Sequence, residues 1–158
     1  ALSYISTKRP DIKQVVLDTI TYAMIGEFMD KAKTVGYAKF TEMGDNVYKT
    51  LKMIDGLRED LTVVVMAHTE VKSFNGVDRT VFAVPGGKLV QDVVKPEGMF
   101  VVILETLVEK KGNDVEYVFM TQNNTTNMAK SPQDMFQREI ISNDMSEVLK
   151  AIAIYEQG

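Results

Sequence analysis

Two short apolar runs, each closed by polar groups, constrain this chain more than any other feature. The first is Val15-Val16-Leu17-Asp18-Thr19, and the second is Leu61-Thr62-Val63-Val64-Val65-Met66-Ala67-His68-Thr69-Glu70. β-Branched residues dominate both without polar alternation, so each reads as a strand buried on both faces. The stretch between them carries helical periodicity. Strand, helical crossover and strand together imply parallel neighbours. In sheets of this kind ligands gather beyond the carboxyl ends of the strands. Asp18, His68, Thr69 and Glu70 stand at those ends.

The chain has 158 residues, a length that suits one domain spanning 1–158. A domain of this size buries roughly 70% of its unfolded surface, so its core needs no covalent staples. It contains no cysteine, which excludes a disulfide framework and a thiolate metal site and fits a reducing compartment. A net charge of −4 argues against a standalone nucleic-acid binder, although a local basic patch stays compatible with it. No run approaches the roughly 18 apolar residues of a membrane span, and the first residues lack the apolar region of a signal peptide. The ten methionines are read as core filler.

Residues 1–13 are polar and broken by Pro10, and read as a loop or the tail of an earlier element. A strand over 13–18 leads into a helix capped by Thr19 or Thr21, with Tyr22, Ile25, Phe28 (or Met29) and Ala32 on one face and Gly36 as its stop. A second helix over 37–57 spaces Met43, Val47, Leu51 and Ile54 on one stripe, weakened at Gly44. After the strand at 61–67, residues 71–74 and 79–84 suit a hairpin around Asn75-Gly76, and a short helix is expected over 88–94. Strands at 99–108 and 115–121 flank a turn at 110–114, and a polar loop covers 122–133. A last helix from about Asn143 carries Met145, Val148, Leu149, Ile152 and Tyr155. The expected class is α/β, a parallel sheet with a C-terminal antiparallel hairpin.

Several residues suggest chemistry, each beside a plainer role. Asp18 ends an apolar strand, where nucleoside triphosphatases place the carboxylate that holds Mg²⁺, usually through water. Many α/β proteins end a strand in Asp only to cap the next helix. His68, the one histidine, suits a group that senses a γ-phosphate or orients the attacking water. It equally suits a neutral strand-end histidine. Glu70 is a second carboxylate or a solvated loop residue. Pro85-Gly86-Gly87-Lys88-Leu89 does not make a phosphate loop, since the motif needs glycine where Phe82 stands and a hydroxyl where Leu89 stands. It reads as a turn opening a helix, with Lys88 as a basic tip for a phosphate. Lys130, in Ala129-Lys130-Ser131-Pro132, is a solvated loop lysine or a cation offered to a neighbouring subunit's triphosphate. An acid–base pair of Asp18 and His68 in an unrelated α/β enzyme is a weaker alternative that needs a strand-end pocket.

Taken in order, these motifs resemble a known family. Val15-Val16-Leu17-Asp18, Tyr22-Ala23-Met24-Ile25-Gly26-Glu27-Phe28-Met29 and the 31–40 stretch resemble the phage AAA-type ATPases of the RecA-like class, including single-strand-annealing ATPases. Val63-Val64-Val65-Met66-Ala67-His68-Thr69-Glu70 is similar to the family's next core strand, and Ala129-Lys130-Ser131 to its late lysine motif. The resemblance runs from about Gln14 to Tyr155.

It implies a partial RecA-like P-loop NTPase core that binds ATP with Mg²⁺. Asp18 would be the Walker B metal carboxylate, with Thr19 and Thr69 beside the nucleotide. His68 would be the sensor and Lys130 a trans-acting lysine, both in catalytic roles. The segment 70–88 would correspond to the DNA-facing loop, making Lys72, Arg79 and Lys88 candidate contacts for single-stranded DNA. The resemblance further implies homo-oligomers, a phage or prophage origin, a bacterial cytoplasmic location and a role in DNA recombination or replication. The family's P-loop would lie before Gln14, so the chain is expected to be the C-terminal part of such an ATPase, active when that segment is supplied. The alternative is a non-catalytic RecA-like module for protein or DNA interaction.

Overall fold

The computed structural model describes residues 1–83 and 90–157, apart from the side chain of Gln91. The chain is mixed α/β and divides into two compact units, Ala1–Glu70 with Phe82–Met99, and Val71–Val81 with Phe100–Gly158.

In the first unit, helix α1 (Leu2–Lys8) precedes strand β1 (Gln14–Leu17). Helices α2 (Ile20–Asp30) and α3 (Ala38–Ile54) make the crossover to strand β2 (Thr62–Val65). β1 and β2 pair in parallel, Gln14 with Thr62 through Leu17 with Val65. The crossover expected from the two apolar runs is therefore present, in a sheet of two strands. The stripe on α3 is the core of this unit: Met43, Val47 and Leu51 are buried, each burial contributing roughly 1.5–3 kcal/mol.

Three expectations shift here. The 1–13 segment contains the helix α1, anchored by buried Leu2. β1 is covered on one face only, since Val15 and Leu17 are half-buried while Val16 is 55% exposed. Alternating residues of a strand point to opposite faces, and no further strand joins this sheet among the described residues. In α2 the inward residues are Ile20, Thr21 and Met24, and Tyr22 is 64% exposed.

Glu27 on α2 anchors a polar cluster, accepting from Lys31 Nζ at 2.7 Å and from Asn46 Nδ2 at 2.6 Å. Burial pushes its carboxyl up, but the hydrogen bonds from Lys31 and Asn46 prevail and hold it below the ordinary carboxylate range. A depressed folded value stabilises the fold above the unfolded value, near pH 4.3, and that contribution is lost as pH falls through the folded value. Glu27→Gln is expected to flatten the acid limb of stability between those two points. Acid unfolding followed by circular dichroism checks this, and superimposable acid limbs for parent and variant would refute it.

Strands β3 (Thr69–Phe74) and β4 (Val77–Phe82) form the expected hairpin. Asn75 and Gly76 both take positive φ, 52° and 79°, as a two-residue type I′ turn requires. The helix expected at 88–94 is a π-helical turn at Val90–Val94 followed by a 3₁₀ turn at Pro96–Met99; Lys88 and Leu89 lie outside the described residues.

In the second unit, β5 (Glu105–Lys111) and β6 (Asp114–Met120) pair antiparallel in register from Lys111–Asp114 to Glu105–Met120. Gly112 at φ 65° makes the tight turn. The strand expected from 99 starts later, because the preceding run makes only one ladder contact, Ile103 with Lys130. A strand not anticipated, β7 (Ile140–Ser142), pairs with the far edge of β6. The end of β6 is thus central, and Val118, Phe119 and Met120 are buried in succession, so both faces of the sheet are covered there. Helix α4 (Met145–Tyr155) is capped by the Asp144 carboxylate, which accepts from Ser146 N at 2.7 Å, and buries Val148. Among the described residues, no helix is long and apolar enough to cross a membrane.

Candidate functional site at the carboxyl end of the parallel pair

Parallel pairing brings the residues after β1 and after β2 to one end of the sheet. The ladder continues past the strands: Met66 N donates to Leu17 O, and Ile20 N donates to Met66 O, both at 3.0 Å. Asp18 and Thr19 are thereby held against Met66, two residues before His68.

Asp18 is exposed at this corner, so its carboxylate keeps water within reach. Thr19 takes an extended backbone and caps α2, its Oγ1 accepting from Tyr22 N at 3.3 Å. As an acceptor in that bond, the hydroxyl keeps its own proton for a second partner. Thr21 is 4% exposed, and its Oγ1 accepts from His68 N at 3.0 Å. The His68 carbonyl accepts from Ala83 N at 2.9 Å. Its exposed imidazole meets the Tyr22 ring edge-on, with centroids 5.3 Å apart and planes at 84°. Thr69, also exposed, opens β3 directly after it.

The corner therefore gathers a carboxylate, a hydroxyl and an imidazole, the first two from the β1–α2 turn and the third from the end of β2. Among the described residues, no three His, Cys, Asp or Glu side chains form a metal cage. Mg²⁺ keeps several waters and takes one or two carboxylates beside substrate phosphates, so a single exposed Asp18 is a donor set that fits it.

The other candidates belong to the second unit or lie outside the described residues. Lys130 is half-buried, and its backbone is locked to Ile103 in both directions, at 2.9 and 2.8 Å. The polar loop leading to it is a hydrogen-bonded scaffold. Asn123 Nδ2 donates to Asn127 O at 2.6 Å, Thr125 N to Asn123 Oδ1 at 2.7 Å, and Met128 N to Glu105 Oε2 at 3.2 Å. Arg79 is exposed on β4, and its neighbour Thr80 donates its N–H to Thr126 O at 2.7 Å, tying that strand to the same loop. Lys72 is half-buried on β3. Lys88 lies outside the described residues.

Two features of the corner escape a reading of the sequence. Thr21 stands out only as an alternative cap, and Tyr22 only as part of a core face; the faint signal is two consecutive hydrogen-bonding residues, Thr21 and Tyr22, in the first turn of the helix. Away from this corner, an open groove of about 840 Å³ lies along α4, with Phe136, Ile141 and Ala151 among its lining residues. No protein-family model, curated protein or solved structure matches this chain.

Proposed function

We propose that this chain is the Walker B- and sensor-bearing part of a RecA-like ATPase of phage origin, acting in DNA recombination or replication in the bacterial cytoplasm. The observation that carries the reading is the parallel β1–β2 pair, which sets Asp18 and His68 past adjacent strand ends. That is where open α/β sheets bind their ligands.

In this site Asp18 orients the water shell of Mg²⁺ against the triphosphate of ATP. The ion, when bound, neutralises charge developing on the phosphate oxygens. The Thr19 hydroxyl, already accepting from Tyr22 N, donates its proton to a phosphate oxygen. Thr69 lies beside the nucleotide. His68 offers a ring N–H to the γ-phosphate or to the attacking water. In a homo-oligomer Lys130 reaches the triphosphate held by a neighbour, and Lys72, Arg79 and Lys88 contact single-stranded DNA.

Calorimetric titration with Mg·ATP tests the reading. Asp18→Asn keeps the shape of the side chain and removes its charge, and is expected to weaken Mg·ATP binding about 10- to 100-fold, the usual cost of losing a partner of a metal's outer shell. Equal affinities for parent and variant would remove Asp18 from the metal role. Absence of binding by the parent chain would be shared by an ATPase part that needs its P-loop segment and by the non-catalytic interaction module. Binding that appears when the P-loop segment is supplied supports the first, and continued absence the second.

A further inference from the structure

His68 is gripped from two sides by the turn of helix that follows Asp18. Thr21 is buried, yet it turns its hydroxyl toward the amide of a residue on another element, accepting from His68 N at 3.0 Å. Tyr22 is 64% exposed, and its ring engages the imidazole edge-on at 5.3 Å rather than the core. Ile20 and Met24, buried on the same helix, supply its apolar packing.

We propose that Thr21 and Tyr22 are positioning residues for His68: Thr21 sets where the histidine backbone lies, and Tyr22 sets which way its ring points. The assignment rests on the nucleotide reading of the Asp18–His68 corner. Both residues follow Asp18 in the chain, so one rigid helical turn aligns the metal carboxylate and the sensor ring together. An exposed side chain otherwise samples its rotamers within picoseconds to nanoseconds. An edge-to-face aromatic pair favours one arrangement roughly three- to tenfold. Preorganisation of that kind is what a group must have if it is to meet a phosphate oxygen in a single geometry.

The chain has one histidine, so its ring C–H groups give a single set of NMR signals that needs no assignment. In the nucleotide-free chain, Tyr22→Ala is expected to move the His68 ring signal toward that of an unconstrained histidine, while Tyr22→Phe keeps it near the parent position. Thr21→Val is expected to speed exchange of the His68 amide, and Thr21→Ser to restore its protection. With nucleotide, the parent signal is expected to differ between Mg·ATP and Mg·ADP; in Tyr22→Ala that difference collapses while Mg·ADP affinity holds. If Tyr22→Ala leaves the ring signal at the parent position, or if Tyr22→Phe disturbs it as much as alanine does, the positioning role is overturned. A parent signal blind to Mg·ATP would instead overturn the sensor reading of His68, a separate outcome, because the nucleotide-free comparison still decides the positioning. Tyr22 is exposed, so its variants remain informative even if Thr21→Val fails to fold.

Discussion

Arg58→Ala is expected to lower the stability of the first compact unit by about 3 kcal/mol, the scale of one or two charge-assisted hydrogen bonds lost without replacement. Arg58 lies in the connection from α3 to β2, and its side chain is only 18% exposed. Its Nη1 donates to the carbonyls of Ile5, Ser6 and Arg9 at 2.9, 3.2 and 3.2 Å. Its Nη2 donates to Ile12 O, and its Nε to Asp60 Oδ1 at 2.6 Å. The carbonyls of Ile5 and Ser6 belong to the last turn of α1, where a cation is favoured, and the Ile5 carbonyl also accepts from Arg9 N at 3.1 Å. One guanidinium thus ends the helix and fixes the path from it into β1. Solvent re-hydrates the exposed acceptors in the variant, which keeps the loss below the full sum of the bonds. Arg58→Lys preserves the charge but not the planar fork, and is expected to recover less than half. Urea unfolding followed by circular dichroism measures this as a lower midpoint at unchanged slope. A loss below about 1 kcal/mol would show that Leu2 packing, not Arg58, holds α1 in place.

None of this is visible in the residues around Arg58. With the helix expected to run to Leu57, Arg58-Glu59-Asp60 reads only as a polar connector, and the carbonyl acceptors lie 46 to 53 residues upstream. Local pattern reports faces and ends of elements, not the long-range partners of a connector. α1 is hidden for a related reason: it buries only Leu2, so it has no stripe to betray it. β7 is three residues long, too short for an alternation to register.

Where one face is sharply apolar, the pattern is legible. Met43, Val47 and Leu51 are the buried stripe of α3, as their spacing implies. Asn75-Gly76 marks its hairpin because few residues tolerate positive φ at both central positions. α2 is the contrary case. Ile20, Ala23, Met24, Ile25, Phe28 and Met29 leave apolar residues on every side, so the inward face cannot be phased from spacing alone, and Tyr22 falls outside it.

The candidate corner was half legible for the same physical reasons. Asp18, Thr19 and His68 announce themselves by interrupting β-branched runs, and parallel pairing follows from the helical crossover. The bond from His68 N to Thr21 joins residues 47 positions apart, and only the folded chain supplies it. The β-branched composition of β1 also overstated its burial. Val and Ile report a preference for extended backbone as much as for a covered face, and Val16 satisfies the first without the second.

If the proposed oligomer hydrolyses ATP, Lys130→Ala is expected to lower turnover on the order of 10³-fold, the lower range for losing a cation that stabilises a phosphoryl-transfer transition state. The frame around Lys130 is what makes so large an effect reasonable. Ala129 before it is fully buried. Ser131 after it donates its hydroxyl to Thr121 O at 3.1 Å and accepts from Gln122 Nε2 at 2.6 Å. Thr121, itself fully buried, donates to Arg138 O at 2.9 Å. A charge mounted on a fixed backbone costs little reorganisation when it meets developing negative charge. On the proposed reading the cation acts in the transition state, so turnover is expected to fall while Mg·ATP affinity is largely kept, and Lys130→Arg to restore part of the rate. An effect confined to affinity would make Lys130 a ground-state contact instead. Mixing separates a lysine that serves its own subunit from one that serves a neighbour. Lys130→Ala and Asp18→Asn chains, each inactive alone, regain activity when mixed if an intact Asp18 site can meet an intact Lys130 across a subunit boundary. If the lysine serves only its own chain, every mixed site lacks one of the two groups and no activity returns.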